Sequence, residues 1–240
     1  MIAKTLLALA TMATALSAEP EAKTFKADDG TEVLYRFAAP EKTEVGKTYP
    51  LVLFLHGAGE RGADNKAQLK HGVADILKGA AALGEPVFLI APQCPPEQWW
   101  ADRGGKNPLP AAVLELVEEL AKTQPVDPKR IYLTGLSMGG FGTFDLLARS
   151  PKTWAAAIPI CGGGAPSSAK KFRKVPIRIF HGDADTTVLP EQSKAMAEAL
   201  KKAGSDVELT LYPGVGHNSW TQTYRDPEVI KWLFSQKKKN

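Results

Sequence analysis

Residues 130–149 read RIYLTGLSMGGFGTFDLLAR, and the fold is decided there. Arg130–Thr134 is a β-branched and aromatic run of buried-strand type, and Phe141–Arg149 has helical patterning. Between them, Gly135-x-Ser137-x-Gly139 matches the nucleophile elbow, a sharp strand-to-helix turn that lifts a serine hydroxyl out of a sheet. The glycines have a steric reason: a Cβ at either position would strike the neighbouring strand or helix. The pentapeptide alone is a loose pattern, and its placement between strand and helix gives it weight. Serine by itself is a poor nucleophile and needs an adjacent base.

Base and orienter are expected downstream, in the chain order Ser, Asp, His. Ile177–Phe180 leads into His181-Gly182-Asp183-Ala184-Asp185, and Val207–Tyr212 leads into Pro213-Gly214-Val215-Gly216-His217. His217 is the candidate base. Asp185 is the candidate orienter, standing further out on its loop than Asp183, which reads as a turn former bonded to local backbone. In these roles His217 takes the Ser137 proton and Asp185 holds the imidazole in the right tautomer. An oxyanion needs two backbone donors. Met138 is placed to supply one, and Ala58 or Gly59, in the loop after Leu51–Leu55, the other.

The remaining segments agree with an α/β class. A hairpin is expected from Lys23–Ala27 and Glu32–Ala38 around Asp28-Asp29-Gly30. Further strands are expected at Leu51–Leu55, Val87–Ala91 and Ala155–Ile160. Amphipathic segments lie between them, the pattern of a mostly parallel sheet covered by helices. In Leu109–Thr123, Leu109, Ala112, Val113, Leu116, Val117 and Leu120 recur at helical spacing. Glu191–Ala203 ends at Gly204, a normal helix stop, and a last helix is expected from about Pro227 to Phe234.

The chain has 240 residues, 44% hydrophobic and 23% charged, so disorder and collagen-like structure are excluded. Thirty basic against 26 acidic residues give only +4, and Lys237, Lys238 and Lys239 form a terminal run of solvated-tail type. Nucleic-acid binding gets no support from this balance. Residues 1–17 have one early cation, Lys4, an apolar stretch from Thr5 to Leu16 and small residues at the end, the form of an export signal. The apolar stretch is shorter than the ~20 residues needed to span a bilayer, and no cysteine lies nearby to carry a lipid anchor. Cleavage after Ser17 sets Ala15 at the −3 position; cleavage after Ala18 sets Leu16 there. A secreted or periplasmic protein with one domain over 18–240 and no membrane anchor is expected.

Gly57-x-Gly59-x-x-Gly62 fits a dinucleotide fingerprint, but the following strand ends Ile90-Ala91-Pro92-Gln93 with no carboxylate to grip a ribose. With no HExxH, P-loop or clustered His/Cys set, neither cofactor nor metal is expected.

Together, Leu55-His56-Gly57-Ala58-Gly59-Glu60-Arg61-Gly62, Ala91-Pro92-Gln93-Cys94-Pro95, Gly135-Leu136-Ser137-Met138-Gly139-Gly140, Cys161-Gly162-Gly163-Gly164, His181-Gly182-Asp183-Ala184-Asp185 and Gly216-His217-Asn218-Ser219-Trp220 resemble the α/β-hydrolase superfamily. The resemblance covers nearly all of residues 18–240. It is nearest to the secreted group related to polyhydroxybutyrate depolymerases, feruloyl esterases and prolyl-oligopeptidase-type hydrolases. It implies triad chemistry at Ser137, Asp185 and His217 without fixing a substrate. The family strand order also implies that Cys94 and Cys161 follow strands separated by two others, about 14 Å apart. That exceeds the ~7 Å reach of a disulfide, so free, buried thiols are expected.

Lipases of the superfamily often carry a lid after the strand equivalent to Ala155–Ile160. Here that connection is Cys161–Lys174, so no large lid is expected and the cleft should be open. An open cleft suits short-chain acyl esters and phenolic or acetyl esters displayed on a polymer. A serine peptidase acting on short peptides, or a non-catalytic binder on the same fold, are the other readings. Substrate-contact candidates are Trp99 and Trp100 in the rim segment Pro92–Pro108, and Trp220 after the histidine. Adjacent side chains of extended chain point apart, so at most one of the first two is expected at the mouth, able to stack on a sugar or phenolic ring. Packing under their own loop is the competing arrangement, and for Trp220 it is support of the histidine loop. Glu60 and Arg61 read as a structural pair or as substrate contacts.

Overall fold

The computed structural model describes residues 19–102, 104 and 106–238. The expected export signal, residues 1–17, lies outside them, as does the expected domain start at residue 18.

In chain order the elements are β1 (Glu21–Lys26), β2 (Glu32–Ala38), β3 (Tyr49–Leu55), α1 (Val73–Ala82), β4 (Phe88–Pro92), α2 (Leu109–Thr123), β5 (Val126–Leu136), α3 (Met138–Arg149), β6 (Ala156–Ile160), β7 (Ile177–Gly182), α4 (Glu191–Lys202), β8 (Val207–Tyr212), α5 (Trp220–Arg225) and α6 (Pro227–Ser235). The strands form one sheet in the order β1-β2-β4-β3-β5-β6-β7-β8. The β1–β2 hairpin is antiparallel and joins β4 antiparallel. The other neighbours pair in parallel. This is the α/β-hydrolase architecture that the elbow and strand order imply. Between β6 and β7 the chain makes only a 3₁₀ turn, Pro166–Lys171.

Strand β3 shows why the sheet sits where it does. All seven residues are buried, with Leu51, Leu53 and Leu55 in one core and Val52 and Phe54 in the other. Period-two alternation with both faces apolar can only be satisfied by helices on both sides, each buried leucine contributing roughly 2 kcal/mol. The first core takes the apolar stripes of α2, α3 and α4. The second takes those of α1 and α6 together with Tyr224 of α5.

Helix α2 has the expected bounds and its six spaced apolar residues are buried, with Pro110 in the first turn. Helices α1 and α5 have no counterpart in the sequence reading. Helix α1 contains Gly79, a poor helix former. The gap it leaves admits α6, since a Cβ there would stand 3.0 Å from Ile230. Helix α5 is six residues long, too short for periodicity to register.

Cys94 and Cys161 are free and buried, following β4 and β6 with β3 and β5 between them. Burial pushes both thiols up to about 12. Neither therefore supplies the thiolate on which cysteine reactivity depends.

Candidate active site

Three loops at the carboxyl edge of the sheet carry the candidate residues, where ligands bind in open α/β sheets. Ser137 follows β5 directly and caps the start of α3 with φ 54° and ψ −115°. That conformation is strained for a residue with a Cβ, by about 1–3 kcal/mol, and close packing on both sides holds it. A Cβ on Gly135 would lie 2.4 Å from the Gly139 carbonyl oxygen, and one on Gly139 would lie 2.0 Å from that of Leu55. The elbow glycines are thus fixed by contact, as the motif requires.

Ser137 Oγ stands 2.9 Å from His217 Nε2, and His217 Nδ1 stands 2.7 Å from Asp185 Oδ2. Nδ1 faces a carboxylate and so carries the proton, which leaves Nε2 to accept from the serine. Asp185 is buried, and four donors hold it. Oδ1 accepts from the Thr187 and Val188 N–H groups, and Oδ2 from His217 and from His181 Nε2 at 3.1 Å. Burial acts to raise its pKa, but the His217 hydrogen bond and the two N–H donors outweigh it. The carboxyl therefore stays below its usual range.

His181 is a partner that motif reading passed over. Fully buried at the end of β7, it donates from Nε2 to the Val188 carbonyl at 2.8 Å as well as to Asp185. Its Nδ1 is 2.7 Å from Ser193 Oγ, which in turn donates to the Gly162 carbonyl at 2.9 Å. The signal available in the sequence was a histidine four residues before the candidate orienting aspartate, at the carboxyl end of an apolar strand.

Asp183 does not bond to its local backbone as expected. Its carboxylate accepts from the Gly214 N–H at 2.7 Å. The Asp183 and Ala184 N–H groups donate to Tyr212 and Val215. These three bonds zip the aspartate loop to the histidine loop and fix the distance between Asp185 and His217.

On the opposite flank, Ala58 opens a 3₁₀ turn, Ala58–Glu60, directly after β3, while Met138 opens α3, where the first N–H groups lack intrahelical acceptors. The Ala58 peptide is pinned by His56. The His56 Nδ1–H donates to the Gly57 carbonyl at 2.6 Å and Nε2 accepts from the Cys94 N–H at 2.9 Å. Because a trans peptide is planar, fixing the Gly57 carbonyl fixes the Ala58 N–H pointing the other way. Burial first of all, with Arg61 adding to it, pushes His56 down to about 4, so the ring is neutral.

A sequence model of the dienelactone hydrolase family matches residues 100–236, a stretch that contains Ser137, Asp185 and His217. The chain belongs to the dienelactone hydrolase family. It is 26% identical to the uncharacterized peptidase YuxL of Bacillus subtilis over 83% of this chain and 35% of that protein. It is 28% identical to the carboxylesterase SOBER1 of Arabidopsis thaliana over 70% of this chain and 82% of that one. Among solved structures, a thermostable esterase matches with 38% identity and a TM-score of 0.86, over 92% of this chain and 64% of the other. The chain thus spans about a third of the peptidase and under two thirds of the esterase.

In this member of the dienelactone hydrolase family the tryptophans divide by role. Trp100 is not at the mouth. It is 1% exposed, its Nε1–H donates to the His56 carbonyl at 2.9 Å, and its ring meets the His56 ring edge-on at 5.0 Å. It follows the chain-pinning rather than the substrate-stacking alternative, because its indole N–H finds a partner only inside. Trp99 is half-buried on the rim, with the Arg61 guanidinium 5.4 Å from its ring centroid, and it borders a cavity of about 450 Å³. Trp220 starts α5 and meets His217 edge-on at 5.4 Å, placing it as a support of the histidine. Glu60 and Arg61 do not pair; Arg61 Nε donates to the Ala58 carbonyl at 3.1 Å. Potential ligand atoms of Cys161, Asp185 and His217 lie within 4.8 Å of one another. The hydrogen bonds above already occupy both Asp185 oxygens.

Proposed function

We propose that this protein is a serine carboxylesterase acting through an acyl-enzyme on short-chain acyl esters or on phenolic or acetyl esters borne on a polymer. The observation that carries the reading is the unbroken chain Ser137–His217–Asp185 on a strained elbow, flanked by the Met138 and Ala58 N–H groups. Ser137 Oγ attacks the ester carbonyl while its proton passes to His217 Nε2. The carbonyl oxygen becomes an oxyanion held by the two N–H groups. The tetrahedral centre collapses, the C–O bond to the alcohol breaks, and His217 returns the proton to the departing oxygen. Water then repeats the sequence on the acyl-serine and releases the acid. The esterase relatives support the ester as substrate, and the short β6–β7 connection supports an open cleft. Export through residues 1–17 belongs to the same reading; protein from the native source should begin at Ala18 or Glu19.

The test is turnover of 4-nitrophenyl butyrate, methyl ferulate, acetylated xylan and an aminoacyl-prolyl amide by wild type and Ser137→Ala. Ester turnover by wild type alone is expected. Equal turnover by both proteins removes Ser137 from the mechanism, and cleavage of the amide without the esters makes the protein a peptidase.

A further inference from the structure

The chemistry above leaves one ionisable side chain beside the nucleophile without a role. Glu60 ends the 3₁₀ turn that carries Ala58, and its side chain is 7% exposed. Its backbone is tied down: the N–H donates to Gly57 and the carbonyl accepts from Gln93 Nε2 at 3.2 Å. The carboxylate is not. Among the described residues the one basic side chain within 4.0 Å of it is His71, whose Nε2 is 3.8 Å from Oε1, beyond hydrogen-bond reach. Asp185, whose side chain is wholly withdrawn from water, has four donors. A buried carboxylate is costly unless its oxygens are hydrogen-bonded, so Glu60 has acceptor capacity that the fold leaves unused.

The position of that capacity is informative. A methyl group built on Gly57 would sit 3.1 Å from Glu60 Oε2 and 3.7 Å from Ser137 Cβ. The carboxylate and the nucleophile therefore border the same small volume, across the glycine whose peptide presents the Ala58 N–H. His71, the residue facing Glu60, packs on the Trp220 ring at 5.6 Å, and Trp220 packs on His217. Glu60, His71, Trp220 and His217 thus form a row of contacts from the oxyanion loop to the base. A group held by Glu60 lies next to the reacting ester, only a few bonds from it.

Building on the esterase reading, we propose that Glu60 is a specificity-determining residue. Its carboxylate accepts a hydrogen bond from a hydroxyl or protonated amine carried about three or four bonds from the scissile carbonyl carbon, on the acyl or the alcohol side. Substrates with such a donor satisfy the buried acceptor; plain esters leave it bare. Hydrogen bonds to charged groups are the stronger class, and a preference of about tenfold to hundredfold in kcat/KM is expected.

The experiment uses matched pairs. On the acyl side, 4-nitrophenyl butyrate is compared with its 3-hydroxy and 3-amino derivatives. On the alcohol side, ethyl butyrate is compared with 2-hydroxyethyl butyrate. Each is run on wild type, Glu60→Leu and Glu60→Gln, with thermal melts to show that each variant is folded. Wild type should favour at least one donor-bearing member. Glu60→Leu should bring that ratio to within about twofold of unity. Glu60→Gln, which keeps an acceptor oxygen without the charge, should retain part of a hydroxyl preference and lose an amine preference, separating the two donors. A wild type that turns over the plain esters without preferring any donor overturns the proposal and leaves the esterase reading standing. So does a preference that survives in folded Glu60→Leu or, should that variant not fold, survives undiminished in Glu60→Gln. A wild type that turns over no member of any pair overturns both.

Discussion

Two buried histidines, His56 and His181, stand at similar places: each lies at the carboxyl end of a strand of the sheet, each precedes a glycine, and neither is the candidate base. They do different work. His56 bonds only to main chain, joining the Gly57 carbonyl to the Cys94 N–H, and so fixes the direction of a peptide. His181 bonds to a side chain that matters, Asp185, and anchors it through Ser193 to Gly162. One histidine shapes the candidate oxyanion side and the other the candidate base side. The same dipeptide can therefore organise a loop through the backbone or through a neighbouring carboxylate. Only the partners tell which.

The largest effect should come from breaking the point where the two imidazoles of the base side meet. Asp185→Asn replaces the shared acceptor of His217 and His181 with a group that also donates, which favours the wrong His217 tautomer. A fall of about 10⁴-fold in kcat on 4-nitrophenyl butyrate is expected. A loss below tenfold would mean that His217 is oriented by something other than Asp185.

The sequence was most legible where geometry is short-ranged. The elbow needs glycines at fixed offsets, so residues 135–139 could be read together with their contacts. The stripe of α2 repeats over four turns and could be read to the residue. The distant partners of His56 and His181 could not, because they lie 38 residues away at Cys94 and 12 away at Ser193, and nothing local marks them. Trp100 was misread for the same reason. An aromatic in a rim loop looks like a ligand platform until its N–H is seen to end on a carbonyl 44 residues back. Glu60 is the converse case, a residue whose significance lies in the donors it lacks, which no pattern of spacing expresses.

On the oxyanion side, the next effect is on stability rather than rate. Burial holds His56 at about 4, against 6.5 for an exposed histidine. Between those values the unfolded chain takes up a proton that the folded chain cannot. The stability from burying a neutral ring is thus complete above pH 6.5 and lost as pH falls to 4, about 3 kcal/mol in all. Urea denaturation across that window should show this loss in wild type but not in folded His56→Gln. Parallel pH dependences would show that His56 is not held neutral and would erase its contrast with the carboxylate-bound His181.

His181→Gln should act on rate. It removes the second hold on Asp185 while leaving the His217–Asp185 bond possible, and small misplacements of a catalytic group cost up to about a hundredfold. A kcat lower by about thirtyfold with KM unchanged is expected. If instead only the melting temperature falls, His181 is a packing residue and the two histidines are alike after all.

The smallest effect tests how His56 is itself held. Trp100→Phe keeps the ring against His56 and deletes the one N–H that reaches the His56 carbonyl, leaving a buried acceptor bare. The cost should be about 1–2 kcal/mol, read as a drop of roughly 2–8 °C in melting temperature for a chain of this size. Because the Gly57 carbonyl is still bound by His56 Nδ1–H, the Ala58 N–H should keep its aim and kcat should fall less than in His181→Gln. A kcat loss exceeding that of His181→Gln would mean that the oxyanion loop takes its position from Trp100, with His56 only passing the constraint along.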